Sequence, residues 1–246
     1  MPTPQLGFTP GDVVLVTGAG SGIGRAVATR AAEMGLRVAA VDVNPRAVAE
    51  TVRQIEQSGG RALAITADVG DAAAVEAAVT RARELGALRY VVNNAGPPST
   101  ADLDFAEALR VAVGSVRQVT ETWLSGGVPP GAALVNVASV AGIHVGTASD
   151  WYCAAKAAIA GYTRHLAAYR SDQVRSNAVA PGMTDTPRLA GFAQSEMGQR
   201  VLARIPLRRM ATPDEIAYPI LFLLSPMASY LNGVVLPIDG GWTVTQ

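Results

Sequence analysis

A single lysine stands in this chain: nineteen of the twenty Lys+Arg residues are arginine, and the exception is Lys156. Cysteine is as scarce. Cys153 has no partner with which to form an internal disulfide, so a reducing cytoplasm is the expected compartment. Two histidines and one cysteine are too few for an expected zinc site. The twenty acidic residues balance the basic ones, which leaves no cationic excess to neutralise phosphodiesters, and nucleic acid is not an expected partner. Long hydrophobic runs are also missing. Every apolar stretch is cut by Gly, Pro, Asn or charge before it nears the ~20 residues of a membrane span. The opening MPTPQLGFTPGD has neither the cationic start nor the apolar stretch of a signal peptide. A soluble protein without a membrane partner is expected.

What is present is core-forming material. With 49% hydrophobic and 16% charged residues over 246 positions, the chain suffices for one domain with a sizeable core. Short β-branched runs alternate with alanine-rich stretches of helical period, the pattern of βαβ units around a parallel sheet. The runs predict seven strands: Val13 to Thr17, Arg37 to Asp42, Ala62 to Thr66, Tyr90 to Asn94, Ala133 to Ser139, Val174 to Pro181 and Val234 to Asp239. Helices are predicted over Gly22 to Met34, Pro45 to Gln57, Ala72 to Leu85, Phe105 to Leu124, Asp150 to Tyr169 and Pro213 to Leu224. The fold class is therefore α/β, a doubly wound Rossmann fold in one domain over 1–246. The long segment 182–209, rich in Met, Phe, Leu and Arg, reads as an irregular lid over a substrate.

The first chemical motif is TGAGSGIGR, Thr17 to Arg25, after a strand and opening a helix. Glycines there let backbone approach a pyrophosphate, whose charge meets the amides and dipole at the helix N-terminus. No Gly-Lys-Ser/Thr follows, which disfavours a mononucleotide P-loop. Gly18, Gly22 and Gly24 are spaced GxxxGxG rather than GxGxxG. Eighteen residues after Gly24, Asp42 ends the second strand, where a carboxylate can accept from an adenosine ribose and repel a 2′-phosphate. This favours NAD over NADP, although Arg46 is near enough in sequence to offer a phosphate a partner. Asp68 has two readings: it sits beside the adenine, or it organises the turn into the next helix.

In DWYCAAKAAIAGY, Tyr152 and Lys156 lie four apart and share a helix face. An ammonium ~4 Å from a phenolate, at an effective dielectric of ~20, is worth about 4 kcal/mol. That is enough to bring a phenol from ~10 towards neutrality. The expectation is that Lys156 makes Tyr152 a usable acid or base. A compact ammonium also suits this place better than the planar fork of arginine.

Taken in order, TGAGSGIG, Asp42, Ala67–Asp68, NNAG (Asn93 to Gly96), NVAS ending at Ser139, YCAAK, NAVAPG (Asn177 to Gly182), IPLRR and IDGGW resemble the short-chain dehydrogenase/reductase family over nearly the whole chain. The resemblance implies that Ser139 hydrogen-bonds the substrate oxygen, Tyr152 moves its proton, and Lys156 holds the nicotinamide ribose while lowering the tyrosine pKa. It implies cofactor contacts from Gly18, Ser21, Gly22, Ile23 and Gly24 in the first loop, and from Asp42, Asp68 and Val69 after the next strands. Asn93, Asn94, Ala95 and Gly96 would lie beneath the cofactor. Pro181, Gly182, Thr184 and Thr186 would embrace the nicotinamide, alongside Tyr152 and Lys156. His144, Val145 and Trp151 flank the catalytic residues, while Met183, Leu189, Phe192 and Met197 lie on the lid. A hydrophobic secondary alcohol or ketone is the expected substrate.

Members of the family usually carry an Asn on the helix after NNAG, as part of a proton relay. Here Ala112 aligns with it, with Val111 as the other choice, and Ser115 is a nearby polar substitute. The resemblance also implies a homotetramer paired through the helices at 105–124 and 150–169, and suggests that the Gln246 carboxylate faces a divalent ion. Two other functions remain open: an NADPH-dependent 3-oxoacyl-[acyl-carrier-protein] reductase, and a non-catalytic nucleotide-sensing or scaffold protein.

Overall fold

The computed structural model describes residues 5–144 and 147–245. Its centre is a seven-stranded parallel sheet of order β3-β2-β1-β4-β5-β6-β7, with β1 Val13–Thr17, β2 Arg37–Asp42, β3 Arg61–Thr66, β4 Leu88–Asn93, β5 Ala133–Val137, β6 Arg175–Pro181 and β7 Val235–Ile238. The chain builds outward from β1 to β3, then returns to lay β4 on the other side of β1. The segments leaving β1 and β4 therefore diverge, and a crevice opens at their carboxyl ends.

Alternation along each strand sends neighbouring side chains to opposite faces. Val14 and Val16 of β1 pack with Val38 and Ala40 of β2 against helices α1 (Gly22–Glu33), α2 (Pro45–Gln57) and α8 (Pro213–Leu224). Val13 and Leu15 face the other way, with Ala39 and Val41, against α3 (Ala72–Glu84), α5 (Gly114–Ser125) and α6 (Asp150–Tyr169). A strand buried on both faces is apolar along its length, which is why Val13 to Val16 read as an unbroken run, with the buried Thr17 closing it at the carboxyl end.

Local chemistry starts the helices close to where the sequence predicts. Asn44 caps α2 by accepting from the amides of Arg46 and Ala47, with Pro45 at the first position; Asp71 caps α3 in the same way. Thr212 and Glu215 form a capping box at α8. The helix predicted over Phe105 to Leu124 is instead two helices, α4 (Phe105–Ala112) and α5, interrupted at Val113. The interruption falls on a Val-Gly step, a pair of weak helix formers. The lid expected to be irregular contains turns at Pro187–Leu189 and Phe192–Gln194 and a helix, α7 (Glu196–Leu202). β5 ends at Val137, short of the predicted Ser139, because Ser139 caps the turn Val140–Gly142 by accepting from the Ala141 amide at 3.2 Å. No helix among the described residues is long and apolar enough to cross a membrane.

A buried polar chain ties the middle of the sheet to one helical layer. The Asn93 amide donates to Thr120 and to Asn136, both at 3.0 Å, and the Asn136 amide donates to Thr163 at 2.9 Å. β4, β5, α5 and α6 are thereby held in one register. Asn136→Ala leaves the Asn93 amide and the Thr163 hydroxyl without these partners inside the core. It is expected to cost about 2 kcal/mol, or roughly 4–8 °C of Tm, in a thermal melt. An unshifted Tm would show that the chain of bonds does not hold the layers.

Candidate active site

The crevice at the end of β1 is a cleft of about 760 Å³ that runs from Asp42 and Asp68 at one end to Ser139, Tyr152 and the lid at the other. Its first wall is the loop between β1 and α1. Gly18 and Gly22 adopt φ of 67° and 52°, the left-handed region that favours glycine. A Cβ on Gly24 would overlap the Gly18 carbonyl oxygen, so this glycine lets α1 start tight against the strand end; Gly24 itself does not line the cleft. Ser21 stands at the N-cap of α1 without making a side-chain cap bond, and it lines the cleft with Gly22 and Ile23. The first-turn amides of a twelve-residue helix thus meet the cleft without a side-chain cap, which fits a pyrophosphate.

Asp42 is bound into this loop. One carboxylate oxygen accepts from the Gly20 amide at 2.8 Å and the other from the Asn44 amide at 2.9 Å, and the side chain remains on the cleft wall. Asp68 accepts from the Gly70 amide at 2.8 Å, which fits its reading as a turn former, and it lines the cleft beside Val69. Arg46 is exposed and not part of the wall. Asn94, Ala95 and Gly96 line the cleft, whereas the Asn93 side chain belongs to the buried polar chain and does not. The Asn94 side chain is itself committed, donating to the carbonyls of Thr17 and Gly18 at 3.0 and 3.2 Å.

At the far end, Ser139 and Tyr152 converge from β5 and α6. Gly142 sets their approach: a Cβ there would lie 2.5 Å from the Lys156 backbone, so only glycine lets the turn after Ser139 press on α6. Lys156 lies on the cleft wall as predicted, but its ammonium donates to the Val137 carbonyl at 2.8 Å and sits 5.5 Å from the centre of the Tyr152 ring. The sequence expectation that Lys156 lowers the Tyr152 pKa is not what the geometry gives. Burial pushes the phenol up, with Arg188 and the Ser139 hydroxyl acting in the opposite direction. Burial, helped by Arg188, also brings Lys156 down to about 8. Sharing a helix face brings the two residues together, but the ammonium turns to a strand-end carbonyl rather than to the phenol oxygen.

The wall continues through Pro181, Gly182, Thr184 and Thr186. Thr184 is buried and gives its hydroxyl to the Gly182 carbonyl at 3.2 Å, while Thr186 sits against Gly22. Met183, Leu189 and Phe192 face the cleft as expected, and Val140, Ala141, Val201 and Trp242 join them. Two expected substrate contacts fall elsewhere. Trp151 is buried and stands edge-on to the Tyr152 ring, 5.6 Å between centroids, so it supports the tyrosine from behind; His144 is exposed and off the wall. Met197 is exposed and also off the wall. Val145 and Gln246 lie outside the described residues. Where the family carries its relay asparagine, Ala112 is buried and off the wall, while Val111 and the buried Ser115 line the cleft. Sequence reading missed Arg188 as a wall residue, because nothing in PRL distinguishes it from eighteen other arginines.

A family model described as enoyl-(acyl carrier protein) reductase matches residues 18–243. A cis-4-hydroxycyclohexanecarboxylate dehydrogenase of Sinomonas cyclohexanicum is 38% identical over 94% of this chain and 96% of its own length. A short-chain dehydrogenase of Burkholderia cenocepacia in complex with NADP superimposes with a TM-score of 0.88 at 32% identity, covering 98% of this chain and all of the other. A 3-oxoacyl-[acyl-carrier protein] reductase of Brucella melitensis with bound NAD does so with a TM-score of 0.85 at 31% identity, covering 94% and 91%. A Rossmann sheet, an uncapped helix start on its nucleotide cleft and this likeness along the whole length lead to one assignment: the chain belongs to the short-chain dehydrogenase/reductase family and is an NAD(P)-dependent oxidoreductase acting on CH–OH groups.

Proposed function

We propose that the chain interconverts a secondary alcohol with an apolar body and its ketone, using NAD(H) and the side chains of Ser139, Tyr152 and Lys156. The observation that carries this reading is the meeting of Ser139 and Tyr152, with Lys156 one turn on, at the end of the cleft remote from Asp42. The nicotinamide, when bound, supplies hydride to the carbonyl carbon in reduction and accepts it in oxidation. The chain's task is orientation and proton movement. The Ser139 oxygen accepts from the Ala141 amide, and its O–H, which faces the Tyr152 phenol oxygen, is the group that turns to donate to a substrate oxygen seated between the two, where negative charge develops in reduction. Tyr152 gives its proton to that oxygen, and takes it back in the reverse direction. Lys156 adds positive charge next to the tyrosine and a donor for a ribose hydroxyl. Met183, Leu189 and Phe192 supply the apolar wall for the substrate body. The relative from Sinomonas is a dehydrogenase of cis-4-hydroxycyclohexanecarboxylate, a secondary ring alcohol that also carries a carboxylate, which supports the secondary-alcohol reading.

NAD is favoured by the carboxylate of Asp42 on the wall and by the absence from it of Arg46, the basic residue nearest in sequence. NADH is expected to bind more tightly than NADPH in a fluorescence titration, and Asp42→Ala is expected to narrow that gap. Equal affinities in the unmodified chain would remove Asp42 as the discriminator.

Tyr152→Phe deletes the proton carrier and is expected to lower kcat about 10²- to 10⁴-fold. Ser139→Ala is expected to lower it roughly 10²-fold. NADH dissociation constants should change far less than either rate, which separates chemistry from cofactor binding.

Direction should also show in pH. A phenol raised by burial is a neutral acid at pH 7, the form that reduction needs, while oxidation needs the phenolate. kcat/KM for alcohol oxidation should climb with pH through the alkaline range, and kcat/KM for ketone reduction should fall there. Parallel profiles in both directions would exclude Tyr152 as the titrating group.

A further inference from the structure

The reaction end of the cleft carries a charge that neither the fold nor the proton transfer uses up. Arg188 lies in the turn Pro187–Leu189, and it lines the cleft together with both of its neighbours. Its Nη2 donates to the Gly96 carbonyl at 2.9 Å, bridging from the segment after β6 to the segment after β4. A guanidinium has five N–H donors in a planar fork. One is occupied by Gly96, and among the described residues no carboxylate pairs with the others.

The surrounding charge is one-sided. The carboxylates on the cleft wall are Asp42 and Asp68, both at the opposite end and both bonded to backbone amides. Around Ser139 and Tyr152 the wall holds two cationic side chains, Lys156 and Arg188, and otherwise neutral residues that are largely apolar. Arg188 is close enough that its field lowers the pKa of both Tyr152 and Lys156. A tether between two loops would explain the bond to Gly96. Arg188 is solvent-exposed, so water meets its remaining N–H donors, and they stand on the wall of the reaction chamber with no carboxylate beside them for a ligand to displace.

We propose that Arg188 selects substrates carrying an organic oxyanion, a carboxylate or a sulfonate, at the end remote from the reacting carbonyl. The apolar body of such a molecule lies against Met183, Leu189 and Phe192 while its charged end meets the guanidinium. The fork suits both groups, because each offers two oxygens to parallel N–H donors, and such charge-assisted pairs are about twice as strong as neutral hydrogen bonds. This inference rests on the oxidoreductase reading of the same site and adds the chemical class of its substrate.

The test uses three matched pairs of ketones: 4-acetylbenzoate and its methyl ester, 4-acetylbenzenesulfonate and the corresponding methyl sulfone, and 5-oxohexanoate and its methyl ester. kcat/KM for reduction is measured for the unmodified protein, Arg188→Gln and Arg188→Lys, and the NADH dissociation constant is measured for each by fluorescence. The anionic member of at least one pair is expected to be preferred roughly 10- to 100-fold, and its identity tells carboxylate from sulfonate. Arg188→Gln should collapse that preference about tenfold or more, with Arg188→Lys between the two because it keeps charge but loses the fork. Equal use of anionic and neutral members by the unmodified protein overturns the inference while leaving the oxidoreductase reading intact. Turnover of no ketone or secondary alcohol, anionic or neutral, in a broad panel overturns both. A loss of NADH affinity in Arg188→Gln that accounts for equal losses on all six ketones would assign the guanidinium to the cofactor and overturn the inference as well.

Discussion

The cleft depends on a fork held by one hydroxyl. Where β1 and β4 leave the sheet in different directions, Thr17 donates to the Val92 carbonyl at 3.3 Å and accepts from the amides of Asn94 and Ala95 at 3.0 and 3.1 Å. The Asn94 side chain returns the tie by donating to the carbonyls of Thr17 and Gly18. These groups are taken out of water at a point where no strand ladder can satisfy them, so each must be paired locally. The result is a rigid floor from which the glycine loop rises on one side and the loop carrying Gly96 on the other. Asp42 then fixes the far rim of the glycine loop through Gly20, and Arg188 joins the lid to Gly96.

At the reaction end, burial and charge oppose one another. Removing a phenol from water disfavours its anion, and removing an ammonium from water disfavours its cation. Tyr152 is accordingly raised and Lys156 lowered. Both shifts favour neutral forms. Arg188 then acts in the same direction on the two groups, since a neighbouring cation favours phenolate and disfavours ammonium. The lone lysine is thus one of two cationic side chains at this end, and only the other lies on the lid. Val111 and Ser115 line the cleft on the helices after β4, where the family's relay asparagine is expected.

Much of the fold was legible because its signals are local. Strand runs buried on both faces, Asn44 before Pro45, Asp71 before an alanine-rich helix, and Thr212-Pro213 with Glu215 each specify an element through residues within a few positions of one another. The glycine loop and the pairing of Tyr152 with Lys156 were legible for the same reason, since spacing within one loop or one helix decides which residues meet, whereas Ser139 was named only by the resemblance of NVAS and YCAAK to the family. The break at Val113 was less visible, since a Val-Gly step weakens a helix without forbidding it.

The linear order of residues by itself determined the parallel α/β architecture, the glycine loop at the end of β1 and the shared helix face of Tyr152 and Lys156, because each follows from periodicity, capping or short spacing, while the proposed catalytic roles came from the family's motifs. Only the tertiary structure decided what those side chains experience. Trp151 and Tyr152 are adjacent in the chain, yet one is buried behind the other; Asn93 and Asn94 are adjacent, yet one enters the core network and the other straps the glycine loop. Arg188 and Gly96 are far apart in sequence and meet across the cleft. Burial, field and counter-charge are through-space quantities, summed over elements that come together only when the sheet is assembled, and no local spacing encodes their sign.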